Sequence, residues 1–169
     1  MSLVFIGLGS NLGEGRVNLI SAWKKLGEFS KGTLLGISSP YASSPVDMDS
    51  SNWFTNAVGV LETRLTPEAL LETMLQVEAS FGRDRLKGKD RTVDLDIIYF
   101  DDLVLTSEAI TVPHPEIENR MFVLAPLAEL APDHLHPVLQ KTTLQMKRNL
   151  QSPEQVVQKQ AWAGKDDLT

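Results

Sequence analysis

Two aspartates separated by one residue, Asp94 and Asp96, interrupt a run rich in Val, Ile, Tyr and Phe that is typical of a buried β-strand. Side chains at positions i and i+2 of a strand point to the same face, roughly 6.5 Å apart. Two carboxylates this close on an apolar strand repel each other and are costly to desolvate unless cations neutralise them. Oxygen ligands favour Mg²⁺ over softer metals. The pattern predicts a magnesium site, although for an isolated D-x-D an edge strand with one solvated face would be the better interpretation.

A basic segment leads directly into this strand. It carries a cation at every second position: Arg83, Arg85, Lys87, Lys89 and Arg91. Five positive charges and two negative ones (Asp84 and Asp90) leave +3 in a protein of net charge -6. A charge run by itself usually indicates a solvated loop. Beside two carboxylates, arginine and lysine suit the outer oxygens of a metal-bound polyphosphate, so we interpret the segment as phosphate-binding.

Length and composition restrict the class of protein. The 169 residues, with 42% hydrophobic and 22% charged content, fit one soluble domain, which we place at 1–162 with a flexible tail at 163–169. The lack of cysteine excludes disulfides and thiolate metal sites and fits a reducing compartment. We find no membrane span and no secretory signal. A pI near 5.0 argues against nucleic-acid binding. We expect a cytoplasmic monomer that acts on small molecules.

Hydrophobic periodicity predicts an α+β, ferredoxin-like βαββαβ core with additional C-terminal helices. The predicted core elements are a strand at 3–8, a helix at 16–29, strands at 33–41 and 53–65, a helix from Thr66 to Phe81 and a strand at 93–100. We predict further helices at 123–130 and from Ser152 to about Trp162. In this fold the helices pack on one face of the sheet, and the other face is free to carry a site. Strict alternation places Val93, Leu95, Ile97 and Tyr99 on one face of the last core strand, and Asp94, Asp96, Ile98 and Phe100 on the other.

Two further groups of residues could bind a substrate. Phe54 and Asn56 share a strand face, where an aromatic plane beside an amide could hold a flat heterocycle by stacking and paired hydrogen bonds. Taken alone, an Asn satisfied by a neighbouring loop is the simpler reading. His114 lies between two prolines that fix its backbone, and Arg120 follows nearby, which indicates a phosphate contact. The glycine-rich turn at 9–13 lacks both common phosphate-loop spacings, and we interpret it as mainly structural.

Together these residues resemble the 6-hydroxymethyl-7,8-dihydropterin pyrophosphokinases of folate biosynthesis. The resemblance covers about residues 3 to 135, in the family's order. It rests on G-L-G-S-N-L-G at 7–13, F-x-N-A at 54–57, E-x-x-x-G-R at 78–83, R-T-V-D-L-D-I at 91–97 and V-P-H-x-x-x-x-x-R-x-F at 112–122. Each motif alone is weak, but the R-x-x-D-L-D segment combined with V-P-H and R-x-F is highly specific.

The resemblance implies transfer of a diphosphate from ATP to the hydroxymethyl group of the pterin, with release of AMP. Asp94 and Asp96 would hold two Mg²⁺ ions along the triphosphate, and Arg83 and Arg91 would stabilise charge during transfer. The implied nucleotide-binding residues are Arg85, Arg91, Ile97, Thr111, His114 and Arg120. The implied pterin-binding residues are Phe54 and Phe122 on the two ring faces, Asn56 at the ring edge, and Ser43, Ser44 and Val46.

The chain departs from the family's pattern at three places. Gly88-Lys89-Asp90 stands where many members have Trp-Gly-Pro, and Pro115 stands where an aromatic residue is common. Ser43-Ser44 replaces a common Thr-Pro, which we expect to loosen that turn. None of these changes affects the metal pair or the arginines, so we expect activity with altered loop kinetics.

Two other functions remain open at this point. A Mg²⁺-dependent phosphohydrolase would use Asp94 and Asp96 but has no need of the Phe54, Asn56 and Phe122 constellation. A non-catalytic ferredoxin-like module that binds a ligand would tolerate the loss of Asp96.

Overall fold

The computed structural model describes residues 1–45, 52–82 and 90–162. Its helices are α1 (Gly15–Ser30), α2 (Pro67–Ser80), α3 (Met121–Leu130) and α4 (Thr143–Asn149), with a 3₁₀ turn at Ile117–Asn119. Its strands are β1 (Ser2–Ser10), β2 (Thr33–Ile37), β3 (Tyr41–Ser43), β4 (Phe54–Thr63), β5 (Asp94–Phe100), β6 (Leu105–Thr106), β7 (Thr111–Val112) and β8 (Val157–Lys159). None of the helices in these ranges is long and apolar enough to cross a membrane.

The main sheet is antiparallel, with strand order β5-β1-β4-β3-β8, and β2 also pairs with β4. This order confirms the predicted α+β class and the βαββαβ core. The predicted second strand at 33–41 is divided into β2 and β3. At the break, the backbone N–H of Ser38 donates to the carbonyl of Val58 over 2.8 Å, and the N–H of Val58 donates to the Ser38 hydroxyl over 3.0 Å.

The two faces of the sheet are covered differently. Helices α1 and α2 bury one face completely, with Leu19, Leu26, Leu70 and Met74 at 1% exposure or less. Thr66 begins α2 as predicted, because its hydroxyl accepts the Ala69 N–H and Pro67 follows at the first helical position. Helices α3 and α4 cover only part of the other face. The two core helices therefore share one face as predicted, the additional C-terminal helices cover part of the other, and the uncovered remainder of that second face carries the cavity described below.

A β-bulge in β5 changes the predicted alternation. Ile6 of β1 pairs with Ile97, but the next pairing is Phe5 with Tyr99, so Ile98 is an extra residue on β5. Asp94 and Asp96 keep the predicted common face. Beyond the bulge the faces exchange: Tyr99 packs in the core under α3 and α4, and Phe100 packs under α1 and α2. Strict alternation was wrong for these last two residues.

The C-terminal segment also differs from the prediction. Residues 152–162 form no helix; Val157–Lys159 instead pairs antiparallel with β3. The indole N–H of Trp162 donates to the Ser38 carbonyl over 3.1 Å, which ties the end of the segment to the break between β2 and β3. The Ser-Pro-Glu signal was outweighed because β3 is three residues long and offers an unpaired edge. The predicted tail at 163–169 lies outside the described residues.

Candidate active site

A cavity of about 300 Å³ opens on the uncovered part of the sheet, beside the N-terminus of α3. Six elements or their flanks contribute to it: β1, β3, β4, β5, β7 and α3. The lining residues are Gly7, Leu8, Gly9, Ser43, Ser44, Phe54, Asn56, Ala57, Val58, Arg91, Asp94, Asp96, Ile98, His114, Arg120, Phe122 and Val123. This set contains every predicted site residue within the described ranges except Ile97 and Thr111.

Two glycines form the floor of the cavity. In the register of β1 with β5, Gly7 lies opposite Asp96 and Gly9 lies opposite Asp94. On the other side of β1, Gly9 pairs with Asn56 of β4. A Cβ on Gly9 would stand 3.2 Å from Oδ1 of Asn56, and one on Gly7 would stand 3.4 Å from Cδ1 of Ile98. Side chains at these positions would occupy the space between the carboxylates and the amide, so the glycines keep the cavity open.

The acidic pair lies on the edge strand β5 with an arginine beside it. The guanidinium of Arg91 forms an ion pair with Asp94 over 3.2 Å and stacks on the Phe54 ring, with 5.0 Å between the guanidinium carbon and the ring centroid. Arg91 therefore bridges the carboxylates of β5 and the aromatic residue of β4. Its position is fixed from outside the sheet, because its backbone N–H donates to Oδ1 of Asn11 over 2.7 Å.

Burial and, after it, the neighbouring carboxylate of Asp94 raise the pKa of Asp96 to about 7. Arg120 and Arg91 act in the opposite direction, and Glu78 adds to the increase. At Asp96, burial and the Asp94 charge therefore outweigh the effect of Arg120 and Arg91. A cation placed between the two carboxylates would remove this repulsion.

His114 and Arg120 approach the cavity from the segment after β7. Nδ1 of His114 accepts the backbone N–H of Glu116 over 3.1 Å, so the neutral ring carries its proton on Nε2. Burial lowers the pKa of His114, and the charge of Arg120 lowers it further, against the opposing carboxylates of Glu116 and Asp94. A neutral imidazole with a free donor at Nε2 is suited to a hydrogen bond with a phosphate oxygen.

The other side of the cavity presents an amide and two aromatic rings. Asn56 is 5% exposed, and its amide donates to the Ser43 hydroxyl over 2.6 Å, which orients Oδ1 and the second N–H. Phe54 lies on the same face of β4, and Phe122 lines the cavity from α3 with Arg120 5.6 Å from its ring centroid. The arrangement provides aromatic surface and a fixed amide edge, as a planar heterocycle requires.

Some predicted site residues lie elsewhere. The side chain of Ile97 packs in the core under α1 and α2, on the face opposite Asp94 and Asp96. Thr111 lies in β7 and does not line the cavity. Their predicted nucleotide contacts remain predictions. Arg83, Arg85 and Val46 lie outside the described residues, as do Gly88 and Lys89 of the departure at 88–90.

Sequence reasoning missed three contributors in the glycine-rich stretch. Gly7 and Gly9 are cavity residues, not only parts of a turn. Asn11 binds the two residues that lead into β5. Its amide donates to the Asp90 carboxylate over 2.6 Å, and its backbone N–H donates to the Arg91 carbonyl over 3.0 Å. Glycines two residues apart on a strand, facing the same side, were the available signal.

The expected loosening at Ser43-Ser44 does not occur. The backbone N–H of Ser44 donates to the carbonyl of Val156 over 3.0 Å, and the N–H of Val156 donates to the Ser44 hydroxyl over 3.1 Å. Proline at position 44 could make neither bond. The serine pair therefore exchanges a rigid residue for attachment to the C-terminal segment.

Comparison with known proteins agrees with this geometry. Residues 5–132 match the family model described as 7,8-dihydro-6-hydroxymethylpterin-pyrophosphokinase. The chain is 36% identical over 149 residues to the 2-amino-4-hydroxy-6-hydroxymethyldihydropteridine pyrophosphokinase of Haemophilus influenzae, covering 88% of this chain and 93% of that protein. It is also 36% identical over 150 residues to the folic acid synthesis protein FOL1 of Dictyostelium discoideum, of which it spans 22% while 88% of this chain is covered.

The solved structures share the fold. Plasmodium falciparum HPPK-DHPS, wild type, superposes with a TM-score of 0.69 at 15% identity, covering 87% of this chain and 44% of that one. The chain thus spans less than half of this larger protein but nearly all of the Haemophilus relative. The residues matched by the family model, 5–132, include most of β1, the whole of β5 with Asp94, His114 between its two prolines, and α3. The chain belongs to the 7,8-dihydro-6-hydroxymethylpterin-pyrophosphokinase family.

Proposed function

We propose that this protein transfers the β,γ-diphosphate of ATP to the hydroxymethyl group of 6-hydroxymethyl-7,8-dihydropterin, in folate biosynthesis. The hydroxyl oxygen attacks the β-phosphorus, the bond between the β-phosphorus and the α,β-bridging oxygen breaks, and the hydroxyl loses its proton. The products are the pterin diphosphate and AMP. We further propose that it acts as a cytoplasmic monomer.

One observation carries the proposal: a carboxylate pair and an aromatic–amide pair face the same cavity on strands separated only by β1. Neighbouring strands lie roughly 4.8 Å apart, so β5 and β4 place these groups about 10 Å from each other. The glycine floor of β1 lies between them. A triphosphate over β5 and a heterocycle over β4 would therefore meet above Gly7 and Gly9.

The donor set at β5 fits Mg²⁺. Asp94 and Asp96 face the cavity together. The protein ligands at this place number only two, because the described residues contain no group of three or more His, Cys, Asp or Glu side chains able to hold a metal. Two carboxylates leave the other coordination positions to phosphate oxygens and water, as Mg²⁺ prefers. When bound, Mg²⁺ would neutralise phosphate charge and acidify the attacking hydroxyl.

The protein's own residues would then position the two substrates and neutralise the charge of the phosphates. Arg91 and Arg120 would bind phosphate oxygens, together with Arg83 and Arg85 from the segment outside the described residues, and His114 would donate from Nε2. Phe54 and Phe122 would stack on the pterin and Asn56 would bind its edge, with Ser43 and Ser44 completing that wall. Such in-line transfer depends on orientation and charge stabilisation more than on a strong base, so we assign no separate general base.

The test is to mix the purified protein with ATP, Mg²⁺ and the hydroxymethyl dihydropterin and to measure AMP by chromatography. We expect AMP only when all three are present, in equal amount to the pterin diphosphate. Inorganic phosphate released without the pterin would indicate the phosphohydrolase instead. Binding of pterin and ATP without any product would indicate the non-catalytic module.

A further inference from the structure

Gln155 lies between α4 and β8, outside the cavity, yet its side chain is bonded to the backbone on both sides of Arg120. Its Oε1 accepts the backbone N–H of Met121 over 3.0 Å, and its Nε2 donates to the carbonyl of Asn119 over 2.8 Å. A backbone N–H can only donate and a carbonyl can only accept, so both bonds require the same amide orientation. The amide also donates to the Ser152 hydroxyl over 3.1 Å.

This contact supplies a missing helix cap. The first turn of a helix has N–H groups without intrahelical partners. Arg120, at the N-cap of α3, makes no capping hydrogen bond with its side chain. Gln155, 34 positions further along the chain, provides the acceptor for Met121 instead. The backbone that carries Arg120 and Phe122 into the cavity is thereby held from the C-terminal segment.

The next residue holds the opposite wall of the cavity. Val156 forms two hydrogen bonds with Ser44. Its carbonyl accepts the Ser44 backbone N–H over 3.0 Å, and its own N–H donates to the Ser44 hydroxyl over 3.1 Å. Strand β8 continues this attachment by pairing Val157 with Ser43. Two consecutive residues, Gln155 and Val156, therefore join the α3 wall to the β3 wall.

We propose that Gln155 is a positioning residue for the pterin: it sets the distance of Phe122 and Arg120 from the Ser43-Ser44 wall. This inference rests on the proposed function, since that function assigns Phe122 and the Ser43-Ser44 wall to the pterin. Loss of the amide would free the N-terminus of α3, with Arg120 and Phe122, without removing any side chain of the cavity. Pterin binding would weaken, whereas Asp94 and Asp96, which belong to β5, would be unaffected.

The experiment compares Gln155→Ala with Gln158→Ala, a matched change at an exposed residue of β8 whose backbone pairing with Ala42 an alanine retains. Two quantities are measured: KM for the pterin against kcat, and the hydrogen-exchange rate of the Met121 amide by NMR. For Gln155→Ala we expect the pterin KM to rise about tenfold and Met121 exchange to become about tenfold faster, as the loss of one hydrogen bond predicts. For Gln158→Ala we expect both within twofold of wild type.

A third variant separates the two bonds and covers poor folding of Gln155→Ala. Gln155→Glu keeps the acceptor for Met121 and removes the donor to Asn119, so Met121 should stay protected while the pterin KM rises about threefold. Faster Met121 exchange with an unchanged pterin KM would overturn the positioning role, and unchanged exchange would overturn the contact itself. If the wild-type protein makes no AMP, the proposed function fails. The inference about Gln155 is then decided by the affinity for the pterin, measured by pterin fluorescence. Equal affinity in wild type and Gln155→Ala, or no binding in either, overturns the inference.

Discussion

The two sides of the cavity are built in different ways. The carboxylate side (Arg91, Asp94 and Asp96) comes from six consecutive positions at the entry and start of one strand, held by Asn11 at Arg91 and by Glu78 at Leu95. The aromatic side consists of Ser43, Ser44, Phe54, Asn56 and Phe122, drawn from β3, β4 and α3. Local backbone geometry is sufficient to aim the first set, whereas the second exists only when distant segments are joined.

The segments that form the aromatic side are connected by polar contacts outside the cavity, which we call its joints. Glu129 of α3 accepts hydrogen bonds from the Tyr41 hydroxyl over 2.6 Å and from the N–H and hydroxyl of Ser39, each over 2.9 Å. Lys159 of β8 lies 3.7 Å from the same carboxylate. Together with Gln155 and Val156, this cluster connects α3, β3 and β8. Changes at these distant contacts should therefore affect pterin binding, whereas loss of phosphate transfer should follow chiefly from changes to the carboxylate side.

The largest effect is expected on the carboxylate side. Asp96→Asn keeps the shape of the side chain and removes its charge, so kcat should fall by roughly 10³-fold or more while the protein remains folded. Thermal stability should stay equal or increase, because the repulsion from Asp94 is removed. The measurements are AMP production and a melting curve, with the exposed Asp133→Asn as control. Turnover near the wild-type level would contradict the metal assignment.

A smaller effect is expected where the two sides meet. Gly9→Ala places a Cβ 3.2 Å from Oδ1 of Asn56, whereas a Cβ on Gly36 of β2 meets no atom within 4 Å. We expect Gly9→Ala to raise the pterin KM by about tenfold by displacing the amide, with KM for ATP within about twofold. Gly36→Ala should match wild type in both. If Gly9→Ala raised the KM for ATP as much as the KM for the pterin, the glycine floor would affect both substrates equally, and the two sides of the cavity would not act independently.

The third prediction concerns the joints of the aromatic side. Tyr41→Phe removes the hydrogen bond to Glu129 and should lower the free energy of unfolding by about 1–2 kcal/mol. The matched control is Tyr99→Phe, because the buried Tyr99 hydroxyl has no hydrogen-bond partner in the described part of the chain. That change should be neutral or stabilising. Urea unfolding of both variants decides the matter, and equal destabilisation would remove the Tyr41–Glu129 bond as the cause.

The smallest effect should appear in the pH dependence of the same joint. Burial alone would raise the pKa of Glu129, but the hydrogen bonds from Tyr41 and Ser39, with Lys159, lower it below its usual value of 4.5. A carboxylate with a lowered folded-state pKa stabilises the protein above pH 4.5, and this stabilisation is lost as the pH falls through the folded-state value. The stability difference between wild type and Glu129→Gln should therefore be constant from pH 7 to about 5 and shrink below it.

That difference can be followed by urea unfolding at each pH. A difference that persists unchanged down to pH 3 would show that the Glu129 charge does not contribute to the joint.

Some features followed from the sequence alone because they depend on neighbouring residues. The pairing of Asp94 and Asp96 on one face and the antiparallel core needed only strand and helix periodicity, and the cap at Thr66 needed only the local Thr-Pro-Glu sequence. The Phe54–Asn56 pair, two residues apart on a strand, was found in the same way. Arg120 was predicted from its position near His114, and the family resemblance added Phe122, Ser43 and Ser44; all four lie in the cavity.

Other features were decided only by the tertiary structure. The bulge at Ile98 that exchanges the faces of Tyr99 and Phe100 depends on the register with β1, and the conversion of 157–159 from predicted helix to strand depends on the free edge of β3. The same holds for Gln155, Ser44 and Glu129, whose partners lie tens of residues away and leave no periodic trace. Periodicity reports which side of its own element a residue occupies, but which distant element meets that side is determined by packing and by the need to satisfy buried backbone groups.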